Sequence, residues 1–253
     1  MRDDHFLRRY EAVLQLQQQM AARGHSSPAA PGNARVIETY QQQFDGLSFR
    51  IEPEVFAPHP SSARVVAEAL EHTRGIARPV AVDVGTGCGA LAIAYARHRP
   101  DADVYAVDYS RAAVACARRN ARDLGAHNVQ VLEGSLLEPV AALAIKIDLL
   151  MANLPWVAPA IVQVLDLESD TGWRGPHESV TGLGRDGLGL VRQLISQAEP
   201  LLQPHAVLFV GMDDWQTPIM QREIAPAFEV RAPTVPYFLT LRPRPGGESR
   251  PAP

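Results

Sequence analysis

One short segment constrains the fold more than any other part of the chain. Residues 82–94 read VDVGTGCGALAIA, so apolar strand residues run directly into Gly85, Gly87 and Gly89 and then into a helical pattern. Glycines at such a turn permit tight turning and remove the side chains that would keep a ligand away from the backbone. Free N–H groups at the start of the helix offer donors to a negative group. The segment therefore predicts a strand, a ligand-binding turn and a helix.

An acidic residue completes this first signal. Asp108 follows Gly85 by 23 residues and ends the next predicted strand. A carboxylate at this place can accept both hydroxyl groups of a ribose. Dinucleotide-binding proteins use the pattern G-x-G-x-x-G, whereas the glycines here follow G-x-G-x-G. The layout predicts a ligand that contains a nucleoside, with a dehydrogenase as the less favoured class.

The glycine spacing resembles motif I of class I S-adenosylmethionine (SAM) methyltransferases, in which the loop lies along the methionine part of the ligand. Asp83, inside the strand, fits the acidic residue usual in that family. The resemblance implies SAM as the cofactor. It also implies a set of cofactor-binding residues, namely Asp83, Gly85, Thr86, Gly87, Gly89, Asp108, Tyr109, Ser135, Leu136 and Asn153. Within this set, Tyr109 is expected to cover the adenine and Ser135 to lie near it, while the neighbouring Cys88 is interpreted as a small turn residue.

The pattern from Pro79 onward alternates between strands and helices. Strands are predicted at 79–84, 104–108, 128–132, 147–153, 206–212, 228–232 and 237–243, and helices at 89–99, 110–124, 188–202 and 217–227. Repeated strand–helix units predict a mostly parallel sheet with helices on both faces. Together with the resemblance, they predict an α/β fold with a Rossmann-like class I methyltransferase sheet, mostly parallel with its last strand antiparallel.

The region before this sheet is predicted to be a small extension of helices and a hairpin. Its elements are an amphipathic helix at 3–22, a breaker-rich linker at 24–33, a short helix at 34–43, a β-hairpin within 44–58 and a helix at 61–72 capped by Ser61 or Ser62. We expect three parts: residues 1–74 as a lid or substrate region, 75–243 as the SAM-binding domain, and 244–253 as a disordered tail.

A second motif follows the predicted strand at 147–153. Asn153-Leu154-Pro155-Trp156 stands at the carboxyl end of this strand, where ligands bind in open α/β sheets. It resembles the (N/D)-P-P-(Y/F) motif of amino-group methyltransferases. The resemblance implies that the Asn153 side-chain oxygen and the Leu154 carbonyl accept hydrogen bonds from the target NH₂, while Trp156 packs on the target group. Leu154 replaces a proline, which keeps the carbonyl and removes the fixed φ. These four residues are the predicted catalytic set.

Nitrogen chemistry gives this motif a physical reason. An amide nitrogen is a poor nucleophile because its lone pair is delocalised. Two acceptors that hold both N–H bonds favour the pyramidal form and point the lone pair at the methyl group. No strong general base is needed, since the proton can leave after methyl transfer.

Two further stretches narrow the resemblance to the release-factor type of glutamine-N5 methyltransferase. These are residues 44–70 and 178–195, and the similarity covers roughly 44–242. The sequence P-R-P-x-T-E of that family reads PHPSSA at 58–63 here. His59 is interpreted either as a substrate contact or as a surface residue. Only about 43 residues precede the predicted hairpin, which is short for a domain that grips a release factor, and we therefore expect a small-molecule or peptide substrate.

Composition excludes several classes of function. The net charge is −4, which leaves no basic footprint for nucleic acid. Only Cys88 and Cys116 are present, so a disulfide framework and a cysteine-based zinc site are excluded, and no metal is expected. No apolar run or secretory leader suggests a membrane or export, and a cytoplasmic location is expected.

Three hypotheses follow from these observations. The first is a SAM-dependent N-methyltransferase that acts on an amide or amine. The second is an enzyme that consumes SAM without methylating, either by cyclising it to azetidine-2-carboxylate with release of methylthioadenosine or as a SAM lyase. The third is a SAM-binding regulatory protein. The first helix is expected to act as a lid or as a contact in an oligomer.

Overall fold

A computed structural model describes residues 38–162, 179–231, 235 and 237–244 of the chain. The predicted helix at 3–22, the linker at 24–33 and the tail beyond residue 244 lie outside these residues. No helix in the described ranges combines the length and the apolar character that a membrane crossing requires.

The described chain begins with a β-hairpin. Strand β1 (Tyr40–Phe44) pairs antiparallel with β2 (Leu47–Ile51). The two turn residues, Asp45 and Gly46, have φ angles of 50° and 74°. Positive φ at both positions is typical of the two-residue Asp-Gly hairpin turn, whose twist matches that of the strands. The predicted hairpin is confirmed, although its first strand begins earlier than expected.

The short helix predicted at 34–43 is wrong over residues 40–43, and residues 34–37 lie outside the described part. The glutamines of this segment have good helical propensity. The segment is nevertheless a strand because it pairs residue by residue with β2. Tertiary pairing overrides local propensity here.

The main sheet has seven strands in the order β5-β4-β3-β6-β7-β9-β8. Its strands are β3 (Val80–Val84), β4 (Asp103–Asp108), β5 (Val129–Glu133), β6 (Ile147–Ala152), β7 (Leu202–Gly211), β8 (Phe228–Arg231) and β9 (Phe238–Pro243). Strand β9 pairs antiparallel with both β7 and β8, and the other pairings are parallel. The predicted fold, a mostly parallel sheet whose last strand is antiparallel, is confirmed.

The described helices lie between the strands. They are α1 (Ala63–Thr73), α2 (Ala90–His98), α3 (Arg111–Asp123), α4 (Glu138–Ala141), α5 (Pro159–Val162), α6 (Gly189–Ala198) and α7 (Thr217–Ile224). Helices α4 and α5 were not predicted, because a single turn is too short to show a helical period. Ser110 caps α3 as predicted, with its Oγ accepting from the Ala113 N–H at 3.4 Å. Ser62 occupies the N-cap of α1 but makes no capping hydrogen bond through its side chain.

Two apolar layers enclose the sheet. Alternate residues of β3 point to opposite faces, so Ala81 belongs to one buried cluster and Val82 and Val84 to the other. The first cluster joins α1, α2 and α3 to the hairpin, whose Phe49 and Ile51 are fully buried. The second cluster holds α6 and α7.

The sheet order places a crevice at its carboxyl edge. Strand β3 lies between β4 and β6, and the chain order reverses there. Ligands bind outside the carboxyl ends of the strands at such a switch point. The glycine turn follows β3, and Asp108 ends β4. The second motif follows β6, and the end of β7 lies beside β6.

Candidate active site

The glycine turn has the backbone geometry that the sequence predicts. Gly85, Gly87 and Gly89 have φ angles of 71°, 56° and 88°. Residues with a Cβ rarely adopt such angles. The N–H groups of Gly85 and Thr86 donate to the Val107 carbonyl at 2.9 and 3.0 Å. The turn is thereby fastened to the end of β4.

The first glycine also brings the two sequence motifs into contact. A Cβ on Gly85 would lie 2.8 Å from Cδ2 of Leu154. A side chain at position 85 would therefore push the residue that follows Asn153. The third glycine has a different role, since a Cβ on Gly89 would lie 2.7 Å from Cδ1 of Ile93 within α2.

Asp83 stabilises the glycine turn through two hydrogen bonds. Its carboxylate accepts hydrogen bonds from Oγ1 of Thr86 at 2.7 Å and from the Ala92 N–H at 3.2 Å. The residue is only 1% exposed. Burial raises the pKa of Asp83 to about 6, although both hydrogen bonds oppose this rise. Asp83 thus ties the glycine turn to the first turn of α2.

Asp108 lies where the ribose is expected. Oδ2 accepts from the Gly87 N–H and Oδ1 accepts from the Ser110 N–H, both at 2.9 Å. Burial raises the pKa of this carboxyl above its usual range. The two oxygens together offer about four acceptor positions, so the carboxylate can still receive a ligand hydroxyl group.

A cavity of about 440 Å³ surrounds these groups; we name it the glycine-loop cavity. It is lined by nine of the predicted cofactor-binding residues, namely Asp83, Gly85, Thr86, Gly87, Asp108, Tyr109, Ser135, Leu136 and Asn153. Gly89 does not line it. Tyr109 is 71% exposed at its rim, where a phenol ring can cover a flat group.

The first three residues of the second motif, Asn153, Leu154 and Pro155, also line this cavity. Asn153 follows β6 directly and is half-buried, while Leu154 and Trp156 are buried. The end of β7 makes room for the asparagine, because a Cβ on Gly211 would lie 2.6 Å from Oδ1 of Asn153. The Trp156 indole stacks on Tyr237 with 6.2 Å between ring centroids and 14° between planes.

A second cavity of about 360 Å³ is also lined by Asn153; we name it the tryptophan cavity. Both cavities are lined by the same five residues at their junction, Phe56, Ser62, Asn153, Leu154 and Ser179. Trp156 lines only the tryptophan cavity, together with the exposed His59. The predicted catalytic residue, Asn153, therefore borders both the glycine-loop cavity and the tryptophan cavity.

Gln216 is a supporting residue that the sequence did not reveal. It is 0% exposed, and its Nε2 donates to the Trp156 carbonyl at 2.7 Å and to the Asp186 carbonyl at 2.6 Å. Its Oε1 accepts from the Asp213 N–H at 2.8 Å. One buried amide thus holds three loops around the tryptophan cavity. No local spacing in the sequence could have indicated it.

Asn120 supports the glycine turn in a similar way and was also not predicted. Its Nδ2 donates to the carbonyls of Cys88 and Arg50, both at 2.9 Å. Its Oδ1 accepts from the Arg50 N–H at 3.0 Å. The side chain therefore links β2 to the turn through α3.

Cys88 is buried in the glycine turn. Burial raises the pKa of the Cys88 thiol, which disfavours the thiolate nucleophile. Over the described ranges, no three His, Cys, Asp or Glu side chains converge as a metal site requires. Nδ1 of His59 lies 2.6 Å from Oγ of Ser61, at the mouth of the tryptophan cavity.

Comparison with known proteins relates this chain to methyltransferases. The family described as "Methyltransferase small domain" matches residues 46–168. The segment that carries the glycine turn therefore belongs to a methyltransferase family. Its family and its fold imply S-adenosylmethionine as the methyl donor.

Curated relatives of this chain include proteins named for nitrogen-containing acceptors. A release factor glutamine methyltransferase from Moorella thermoacetica is 37% identical over 183 residues, which is 70% of this chain and 62% of the relative. A 4-amino-L-phenylalanine/4-methylamino-L-phenylalanine methyltransferase from Streptomyces pristinaespiralis is 31% identical over 180 residues, or 68% of this chain and 59% of the relative. The chain thus spans about three fifths of the length of each.

Solved structures of methyltransferases share the fold of this chain. The hMettl16 catalytic domain in complex with the MAT2A 3'UTR hairpin 6 has a TM-score of 0.58 at 16% identity, covering 81% of this chain and 78% of that one. The ribosomal protein L11 methylase from Lactobacillus delbrueckii subsp. bulgaricus has a TM-score of 0.51 at 22% identity, covering 77% and 84%.

The residues of the glycine-loop cavity fit this cofactor. The left-handed glycines leave the backbone bare along the cavity, and Asp108 supplies acceptors for ribose hydroxyls. The volume lies within the range of cofactor pockets.

Proposed function

We propose that this chain catalyses methyl transfer from SAM to the nitrogen of an amide or amine, in a small molecule or peptide. One observation carries the proposal: Asn153 stands at the junction of the glycine-loop cavity and the tryptophan cavity. A nitrogen held from the tryptophan cavity by Oδ1 of Asn153 and the Leu154 carbonyl would face the cofactor. The named acceptors of the two relatives, a glutamine and an amino-phenylalanine, support nitrogen as the target.

The roles of the residues follow from their positions. When bound, SAM supplies an electrophilic methyl group on a sulfonium sulfur. The two acceptors would hold the N–H bonds and aim the lone pair. That lone pair forms the new N–C bond while the S–C bond breaks, its electron pair stays on sulfur, and the proton leaves to water. Pro155 would fix the path of the chain between Leu154 and Trp156.

The predicted division of the chain remains part of this proposal. Residues 75–243 would bind the cofactor, with Asp83, Gly85, Thr86 and Gly87 shaping the loop and Asp108 holding the ribose. Tyr109, Ser135 and Leu136 would surround the adenine. Residues 1–74 would contribute to the substrate side, which is supported by Phe56, His59 and Ser61 lining the tryptophan cavity.

The chemical character of the tryptophan cavity supports a small molecule or peptide over a nucleic acid. Among the described residues that line it, neither Lys nor Arg occurs, and most side chains are apolar or aromatic. Phosphate groups are held mainly by cationic side chains. The cavity therefore suits an uncharged or cationic group.

Calorimetry and a product assay test the proposal together. SAM should bind with a 1:1 stoichiometry, and S-adenosylhomocysteine (SAH) should form only when an amine or amide acceptor is present. Asn153→Ala should retain SAM binding and lower turnover about 100-fold or more, as expected when an oriented acceptor is removed. Absence of SAM binding at millimolar ligand would overturn the proposal.

The same assay distinguishes SAM cyclisation, the alternative chemistry. In that reaction Asn153 would hold the amino group of SAM itself. The separate tryptophan cavity beside Asn153 favours a second substrate. Release of methylthioadenosine from SAM alone, with no acceptor present, would establish the alternative instead.

A further inference from the structure

A single guanidinium joins α6, α7 and the loop that precedes α6. Arg192, on α6, donates to both carboxylate oxygens of Asp186, from Nη1 to Oδ1 at 3.1 Å and from Nη2 to Oδ2 at 2.6 Å. The same side chain donates to both oxygens of Glu223, on α7, from Nε to Oε2 at 2.7 Å and from Nη2 to Oε1 at 2.8 Å. We name these three residues the α6–α7 clamp.

This clamp differs from an ordinary surface ion pair. Isolated exposed pairs contribute little to stability, whereas bidentate geometry and shared charges are the exceptions. The planar guanidinium fixes the direction of each carboxylate as well as its distance. The side chains are partly buried, with 37% of Arg192 and 25% of Asp186 exposed. The hydrogen bonds from Arg192 hold the pKa of the Asp186 carboxyl below its usual range, so this carboxylate is charged near neutral pH.

The loop that carries Asp186 pairs with the chain directly after Trp156. The Val157 N–H donates to the Val180 carbonyl, and the Gly182 N–H donates to the Val157 carbonyl, both at 2.9 Å. A shift of this loop would therefore also shift the end of the second motif.

Two closer contacts tie Asp186 to Trp156 itself. A Cβ on Gly187 would overlap the Trp156 carbonyl oxygen, so the backbone of the loop lies directly against that group. Nε2 of Gln216 bridges the carbonyl oxygens of Trp156 and Asp186, at 2.7 and 2.6 Å. Asp186 is thus held through its side chain by the clamp and through its backbone by the amide that also holds Trp156.

We propose that Arg192 is a positioning residue for methyl transfer, which acts through Asp186 on the acceptor end of the second motif. This inference rests on the proposed function. Arg192 lines neither cavity, whereas Trp156 lines the tryptophan cavity together with Asn153. Without the clamp, the loop and the Trp156 ring shift and the acceptor nitrogen is misplaced. The glycine-loop cavity is unaffected, because the clamp does not reach it.

Arg192→Gln tests the clamp, and Arg222→Gln is its matched control, since it removes an equal charge at an exposed position of α7. Calorimetry measures SAH affinity. Near-ultraviolet circular dichroism measures the ordering of the Trp156 ring, with Trp156→Phe giving the share of the spectrum that this ring contributes. We expect Arg192→Gln to lose most of the Trp156 share and to keep SAH affinity within about twofold, since separate sites act independently. Arg222→Gln should keep both.

Arg192→Lys separates charge from geometry. An ammonium keeps the charge but cannot hold two carboxylates in bidentate pairs, so this variant should also lose most of the Trp156 share. Methyl transfer to 4-aminobenzamide, which carries both an amine and an amide, gives a second readout. We expect kcat/KM for this probe to fall about tenfold or more in both Arg192 variants, as misplaced reacting groups imply, with the KM for SAM unchanged.

The spectrum decides alone if 4-aminobenzamide is not methylated. If Arg192→Gln does not fold, Glu223→Gln, which removes one arm of the clamp, is measured in its place and should lose part of the Trp156 share.

The outcomes separate this inference from the proposed function. A merely structural clamp would lower the unfolding midpoint and leave the Trp156 share intact, which would overturn the inference while the methyltransferase proposal stands. A loss of the same size in Arg222→Gln, or a full Trp156 share in Arg192→Lys, would also overturn it. Failure of the unaltered chain to bind SAH would instead contradict the proposed function.

Discussion

The Nε2 atom of Gln216 lies 2.7 Å from the carbonyl oxygen of Trp156, sixty residues earlier in the chain. The same atom lies 2.6 Å from the Asp186 carbonyl oxygen. Trp156 ends the motif that begins with Asn153, so a buried amide at the start of α7 sets the path of that motif. The position of the predicted catalytic residue Asn153 therefore depends on a side chain that lines neither cavity.

Replacing Gln216 should therefore destabilise the loops that surround the tryptophan cavity, although Gln216 does not line this cavity. Gln216→Met keeps the volume and leaves two buried carbonyls and the Asp213 N–H without their partner. We expect the free energy of unfolding to fall by about 2–4 kcal/mol, since each unsatisfied group costs about 1–3 kcal/mol. Urea denaturation measures this loss. Gln221→Met, on an exposed position of α7, is the matched control and should change little. An equal effect in both variants would contradict the role of Gln216.

Asp108 should control the affinity for the ribose. Hydrogen bonds to a charged group contribute about 1.5–3 kcal/mol each, so Asp108→Ala should weaken SAH binding about 10- to 100-fold, measured by calorimetry. The loss should be much smaller for an SAH analogue without ribose hydroxyls. Asp103→Ala, at the start of the same strand, removes an equal charge from a side chain outside the glycine-loop cavity lining. A loss that is the same for both ligands would mean that Asp108 acts only on the turn.

Asp83 should make stability depend on pH in an unusual direction. Its pKa is raised from 3.8 to about 6 by burial, so the folded protein binds this proton more tightly than the unfolded chain does. The contribution of Asp83 to stability is thus greatest below pH 4 and falls as the pH rises to about 6. The shift corresponds to about 3 kcal/mol.

A comparison of variants isolates this effect. Asp83→Asn cannot titrate, so the difference in unfolding free energy between it and the unaltered chain should change between pH 4 and 6 and stay constant above pH 7. Chemical denaturation at several pH values measures that difference. A difference independent of pH would show that Asp83 titrates normally.

Gly211 should affect methyl transfer more than cofactor binding. A Cβ there would lie 2.6 Å from Oδ1 of Asn153, so Gly211→Ala should displace the acceptor oxygen. We expect the rate of methyl transfer to fall about 10-fold or more, because small misplacement of reacting groups is costly, while SAH affinity changes less than twofold. Gly75→Ala is a suitable control, since no atom lies within 4 Å of its added Cβ. Equal rates in both variants would contradict the prediction.

Features whose chemistry is local were predictable. The glycine turn, Asp108 and the alternating elements each show a pattern within a few residues, and the parallel sheet follows from their order. The carboxyl ends of its strands then bring Asp108 and Asn153 to one edge without further information. Tyr109, Ser135 and Leu136 were placed by resemblance to a family, and they line the same cavity.

The remaining features depend on contacts between distant parts of the chain. Gln216 and Asn120 hold backbone groups that lie sixty or more residues away, and no spacing in the sequence marks them. The strand at Tyr40–Phe44 is stabilised by its partner rather than by its own propensity. Gly211 lies close to Asn153 because β6 and β7 are neighbours in the sheet, and the sequence alone does not show that pairing.

The glycine-loop cavity and the tryptophan cavity share part of their lining, so a ligand in one would lie beside a ligand in the other. Five residues line both cavities, so the proposed cofactor and acceptor would lie against the same side chains: Phe56, Ser62, Asn153, Leu154 and Ser179. A single bisubstrate inhibitor, with an adenosine joined by a short linker to an amide or amine, would place its second half at a high effective concentration once the first half is bound. Its selectivity would come from the linker, because only an enzyme with this junction accepts both halves at that separation.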